Sequence, residues 1–154
     1  MNIFEELKTL YSEIDNYYVK QLVEARRDAD EEKENEFSRR RELNDHAYYL
    51  FMFTRFEDHI REQSSKLIKE SQDNITDWGK RRPWDILPTD KQSDKLFFLN
   101  RVSLLVDKGS HHYQTIKNYY DLRNTIGHGG IFSTPVSIPT VVNDFNQYSR
   151  TLQA

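Results

Sequence analysis

The chain of 154 residues contains no cysteine, which removes disulfides, thiolate nucleophiles and thiolate metal sites from consideration together. It has no apolar run approaching the length needed to cross a bilayer, and Met1-Asn2-Ile3-Phe4-Glu5-Glu6 turns acidic where a secretory leader needs an apolar core. A soluble, cytoplasmic protein with no membrane partner is the expectation. Neither sign of charge dominates: 22 basic residues against 25 acidic ones leave a formal net charge of -3. No whole-molecule field then draws the chain to nucleic acid or anionic lipid, and a nucleic-acid site has to be a local patch. Hydrophobic residues are scarce at 36% and charged ones abundant at 31%, a balance that amphipathic helices carry more readily than a compact sheet. The length fits a single domain over residues 1–154 with one sizeable core.

Steps of three and four residues organise most of what remains. Ile3, Leu7, Leu10, Ile14 and Tyr17, flanked by Phe4, Tyr11, Tyr18, Leu22 and Ala25, lay a stripe along a first helix reaching about Ala29. Residues 28–36 are almost wholly charged and read as a polar hinge. A second helix starts about Ser38, is apolar nearly all round from Ala47 to Phe56, and ends near Ser71 after the single stripe of Ile60, Leu67 and Ile68. Residues 73–88 hold turn formers and prolines without a period, so a long ordered loop is expected between the second and third helices. A third helix, capped by Thr89 or Asp90, carries Leu96, Phe97, Leu99, Val102, Leu104, Leu105 and Val106 and stops at Lys108-Gly109. A fourth, capped by Ser110, carries Tyr113, Ile116, Tyr119, Tyr120, Leu122 and Ile126 and terminates at Gly127, where glycine accommodates the left-handed turn of a helix end. After a loop from Ile131 to Pro135, Ser137 and Pro139 start a fifth helix with Val141, Val142, Phe145, Tyr148 and Leu152 on one face. The pattern is all-α.

Chemistry concentrates at the end of the fourth helix, in Asp121-Leu122-Arg123-Asn124-Thr125-Ile126-Gly127-His128-Gly129-Gly130. Arginine is permanently charged and forks two donors onto a phosphate, while histidine exchanges a proton near neutral pH. In a straight helix five positions turn by about 500°, leaving the two side chains about 140° apart. A helix ending at Gly127 frees His128 to face the same groove as Arg123. RNA cleavage without a metal needs a base for the 2′-hydroxyl, an acid for the departing 5′-oxygen and positive charge at the phosphate. One copy of the motif offers one histidine and one arginine; two copies about a twofold axis offer two of each, so a homodimer is expected. The same residues also suit pure architecture, with Gly127 ending the helix, Arg123 and His128 facing its carbonyl end and Asn124 bonding locally. Elsewhere Trp78 and Trp84 flank Lys80, Arg81 and Arg82, which either stack bases and grip RNA phosphates or pin a loop onto the core. His111-His112 lacks spaced partner ligands, so no metal is assigned, and His46 and His59 read as structural histidines.

The run Arg123-Asn124-Thr125-Ile126-Gly127-His128-Gly129 resembles the arginine-asparagine, three-residue, histidine-glycine signature of the HEPN superfamily of prokaryotic ribonuclease toxins and their relatives. The segment Phe53-Thr54-Arg55-Phe56-Glu57-Asp58-His59-Ile60 is similar to the aromatic-rich helix bearing an acidic residue in related groups, which makes Glu57 a further site residue; a buried salt bridge is the other role open to it. The resemblance implies a five-helix HEPN-like bundle, a dimer with a composite cleft built from both motifs, and endoribonuclease activity without metal or cofactor. In it Arg123 stabilises the phosphate, His128 moves protons, Asn124 orients the motif and Glu57 positions the cationic pair. It further implies a toxin or antiviral defence effector, with a cognate antitoxin or defence-system partner. A catalytically silent nucleotide- or RNA-binding or assembly module is the alternative that the same resemblance leaves open. The chain departs from the pattern at Gly127, where alanine is frequent, and in the Trp78 to Pro88 segment, which has no assignable counterpart.

Overall fold

The computed structural model describes residues 2–131 and 136–154 and holds six helices: α1 (Ile3–Arg27), α2 (Glu31–Asn74), α3 (Trp78–Asp85), α4 (Phe98–Leu105), α5 (His111–Gly127) and α6 (Ile138–Thr151). No strand occurs among the described residues, so the all-α class stands, with one helix more than the five expected. None of these helices is long and apolar enough to cross a membrane. Of the loop expected from Ile131 to Pro135, residues 132–135 lie outside the described residues.

The boundaries depart from the sequence expectation where caps decide them. The charged run after α1 is not a hinge: only residues 28–30 leave the helical conformation. Asp30 accepts from the Lys33 amide at 3.0 Å through its carboxylate and from the Glu34 amide through its carbonyl. Glu31, Glu32 and Glu34 then fill a first turn whose free N–H groups favour negative charge. The second helix therefore starts seven residues before Ser38 and runs 44 residues. The left-handed residue in the turn is Ala29, at φ 51°, closing α1 with paired bonds from Asp30 to Ala25 and from Ala29 to Arg26.

Part of the expected long loop is helical as well. Asp77 caps α3 by accepting from the Lys80 amide at 3.0 Å, and Pro83, inside the helix past its first turn, costs it one backbone bond. The Gln72 side chain donates to the carbonyls of Trp84 and Leu87, fixing the far end of α3 to α2.

The helix expected from Thr89 or Asp90 begins only at Phe98. Its cause is Arg101, a fully buried side chain that the sequence reading passed over. The guanidinium donates to the carbonyls of Leu96, Asp90 and Ser93 and to the hydroxyls of Ser64 and Ser65, at 3.0 to 3.4 Å. Three carbonyls of this stretch turn inward to the buried cation, and residues 90–97 stay outside the helix. Desolvation lowers the Arg101 pKa below the ordinary arginine value, with the Arg61 charge acting in the same direction.

The described residues fall into two compact units, one from Met1–Phe53 with Leu122–Asn146 and one from Thr54–Asp121 with Gln147–Ala154. In the first, Phe4, Leu7, Tyr11, Leu22 and Ala25 of α1, Phe37, Tyr49, Met52 and Phe53 of α2 and Val141, Val142 and Phe145 of α6 are buried. Phe145 lies 6.0 Å from both Phe4 and Phe53, ring centre to ring centre. The α1 packing row is thus not the expected stripe: Ile3, Leu10, Ile14 and Tyr17 stay exposed. Asn146 ties the helix start, donating to Glu5 and accepting from Asn2, whose own side-chain oxygen caps α1. In the second unit, Phe56, Ile60, Ile68, Phe98, Val102, Ile116 and Tyr148 make the core. Each such ring or branched chain contributes about 1.5–3 kcal/mol when fully buried.

Candidate functional site at the end of α5

Ser110 starts α5 as expected, its hydroxyl accepting from the Tyr113 amide at 3.1 Å. The other end is set by two glycines, neither of them Gly127. Gly127 is helical, and a Cβ added there would meet nothing within 4 Å. His128 follows as the capping residue, its amide bonded to the Asn124 carbonyl at 3.1 Å. Gly129 takes the left-handed conformation at φ 83°, and the chain closes with bonds from Gly129 to Ile126 and from Gly130 to Thr125, both 2.9 Å. A Cβ on Gly130 would lie 2.7 Å from the Thr125 carbonyl oxygen, so the closure needs glycine there for room. The expected helix end at Gly127 is correct, but the left-handed turn is made two residues later.

This closure places the motif residues on one helix terminus. Arg123 and Asn124 are half-buried in the last turn, and the Arg123 Nη1 donates to Asn124 Oδ1 at 3.1 Å. His128 is exposed and hydrogen-bonds through its ring to no other described residue. The cation is therefore oriented by its neighbour, while the imidazole stands in solvent at the cap. Lys117 and Asp121, one turn apart ahead of Arg123 on α5, pair at 2.6 Å.

Glu57 belongs to the second unit. Its Oε1 accepts from Arg61 Nη2 at 2.8 Å and from Nε at 3.2 Å, and both side chains are mostly buried. The salt-bridge role left open for it is the one observed. Lys80, Arg81 and Arg82 lie on α3, where Lys80 and Arg82 are exposed and the Arg81 guanidinium sits 5.6 Å from the Trp78 ring centre. Of the two tryptophans expected to pin the segment, Trp78 is 61% exposed and Trp84 half-buried, with the Trp84 carbonyl held by Gln72. His111 and His112 open α5, the latter edge-on to Tyr148, and His59 donates to the Leu152 carbonyl. Among the described residues no group of three or more histidines and carboxylates is placed to share a metal ion.

Sequence reasoning missed a polar cleft of about 780 Å³ in the first unit, lined by residues including Tyr11, Asp15, Arg41 and Asp45. Arg41 forks onto Asp15 with bonds of 2.5 and 3.0 Å, and the Tyr11 hydroxyl donates to Asp45 at 2.9 Å. Burial, then the Asp45 bond, pushes the Tyr11 phenol above its ordinary value. Burial, with the Asp15 charge behind it, raises the Asp45 carboxyl, while the Tyr11 bond and Arg41 oppose the rise. The legible signal was two four-residue steps, Tyr11 to Asp15 and Arg41 to Asp45, that align complementary groups on facing helices. No protein-family model, no curated protein and no solved structure matches the chain.

Proposed function

We propose that the capped end of α5 is the catalytic element of a metal-independent endoribonuclease of HEPN type, acting as a homodimer. The observation that carries the reading is the pairing, on one helix terminus, of an arginine held by Asn124 with an exposed histidine. In a composite cleft, one His128 takes the proton of a 2′-hydroxyl as its oxygen bonds to phosphorus. The phosphorus–O5′ bond breaks, and the second His128, as imidazolium, protonates the leaving oxygen. The products carry a 2′,3′-cyclic phosphate and a 5′-hydroxyl. Arg123 from either copy meets the charge that builds on the phosphate. On this reading Lys80, Arg81 and Arg82, beside exposed Trp78, supply sequence-tolerant contacts to single-stranded RNA. Such an enzyme acts in the cytoplasm as a toxin or antiviral effector held in check by an antitoxin or defence-system partner. Glu57, engaged by Arg61, takes the part of positioning its neighbourhood.

A second reading has a specific observation in its favour: the glycine closure and the Arg123–Asn124 bond complete a helix end with no chemistry required. A silent RNA-binding or assembly module would keep the same geometry. Arg123→Lys separates the two. Lysine keeps the charge but loses the planar fork, so the ribonuclease reading expects turnover to fall by about 10²–10³-fold, roughly 2.7–4 kcal/mol by analogy with removal of one preorganised donor. RNA affinity and thermal stability should stay near wild type, as read by filter binding and melting. Full activity of the lysine variant in a pure preparation removes Arg123 from catalysis, and binding without cleavage in the wild type supports the silent module.

A further inference from the structure

One apolar row of α1 is exposed. Ile3, Leu10, Ile14 and Tyr17 are 37 to 52% exposed, while Phe4, Leu7, Tyr11, Leu22 and Ala25 make the packed row beside them. The exposed residues follow steps of seven, four and three, the spacing of a seam between paired helices. Along the outer flank of that seam, at intervals of seven, stand Glu6, Glu13, Lys20 and Arg27, all exposed. The first two are acidic and the last two basic. Leu43 of α2, in the same unit, is 48% exposed as well.

We infer that this α1 face binds a second copy of the chain through an antiparallel α1–α1 pairing, its exposed apolar row against its partner's and the acidic half of each charged row against the basic half of the other. The order of signs selects both the occupant and its direction. Two copies running parallel would leave the charged rows on opposite sides of the seam, each beside the partner's packed row, with no charge to meet. Two copies running antiparallel about a twofold axis bring opposite signs together at each end, and a twofold interface requires such self-complementarity. The apolar row supplies the burial, and the flanking row supplies register and choice of partner. The pairing deepens the dimeric part of the proposed function and rests on that part alone; no RNA chemistry is needed for it.

The test is a pair of charge-reversal variants, Glu6→Lys with Glu13→Lys, and Lys20→Glu with Arg27→Glu, examined with wild type by sedimentation velocity at micromolar concentration without RNA. All four positions are exposed, and far-UV circular dichroism checks that each variant keeps wild-type helicity. The expected result is a dimeric wild type, self-association of each variant weakened by at least about tenfold, and a heterodimer restored when the two variants are mixed in equal amounts. Restoration on mixing cannot come from misfolded chains. A wild type that stays monomeric throughout overturns the pairing together with the dimeric reading. A dimer that survives in both variants overturns the α1 surface while leaving a composite cleft elsewhere intact, and loss of RNA cleavage alone bears on neither.

Discussion

Three alanine substitutions within four residues should have opposite and ordered effects, because the end of α5 uses its glycines differently. At Gly127 the backbone is helical and the space beside it empty, so Gly127→Ala should stabilise by about 0.5–1 kcal/mol, the ordinary advantage of alanine in a helix. At Gly129 the φ of 83° puts an L side chain in the left-handed region, and Gly129→Ala should cost about 1–2 kcal/mol. At Gly130 the added carbon meets the Thr125 carbonyl oxygen and Cγ2, each at 2.7 Å. The methyl of Thr125 can turn away, but the carbonyl cannot without breaking the bond it accepts from Gly130. Loss of that bond costs about 1 kcal/mol and overpacking about 1–3 kcal/mol more, so Gly130→Ala should be the most damaging of the three. Urea unfolding of the four proteins measures this order as shifts in midpoint at constant slope. If Gly127→Ala proves as destabilising as Gly129→Ala, the closure assigned to α5 is wrong, and with it the placement of His128 at the cap.

The same method applies to Arg101. Arg101→Met removes a cation but takes the donor from three buried oxygens, the Leu96 carbonyl and the Ser64 and Ser65 hydroxyls, and from the part-buried carbonyls of Asp90 and Ser93, so a loss of about 3–5 kcal/mol is expected, with Arg101→Lys recovering only part because an ammonium has three donors; a loss under about 1 kcal/mol for the methionine variant would mean water replaces the guanidinium. Asp45 yields a pH dependence. Its folded carboxyl pKa lies above the ordinary value through burial, so the folded state holds that proton more tightly, and the contribution is present below about pH 3.9 and lost as pH rises through the folded value. Asp45→Asn keeps an acceptor for Tyr11 and should gain stability relative to wild type as pH is raised from about 3.5 to about 7; a difference that stays flat or reverses contradicts the assignment.

Periodicity made the helical class and the packed face of α6 legible, because that row has one partner direction and buries what it displays; in the apolar middle of α2, Tyr49, Met52, Phe53 and Phe56 are buried while Phe51 stays 45% exposed. It misplaced the packing of α1, where two apolar rows lie side by side and nothing in the spacing says which faces inward. The start of α4 was illegible for a different reason. A residue type that is ordinarily exposed, Arg101, is buried here and recruits backbone from residues 90–96 that a helix would otherwise have used. Asp30 and Asp77 were readable as caps only in hindsight of the turns before them, since each stands in a charged or polar run with several residues able to cap. At the motif the sequence located the helix end, with Arg123 ahead of it and His128 just beyond. It missed the Arg123–Asn124 bond and the part played by Gly129 and Gly130, which depend on backbone geometry rather than on residue order.

The most direct measurement is the chemistry of the ends left on RNA incubated with the purified protein in excess chelator, compared between wild type and His128→Ala. The account predicts cleavage by the wild type that leaves 2′,3′-cyclic phosphate and 5′-hydroxyl termini, and loss of at least about 10²-fold of that activity in the variant, the lower bound for removal of a positioned general acid–base. Cleavage that persists in His128→Ala, or wild-type products ending in 3′-hydroxyl and 5′-phosphate, would contradict it.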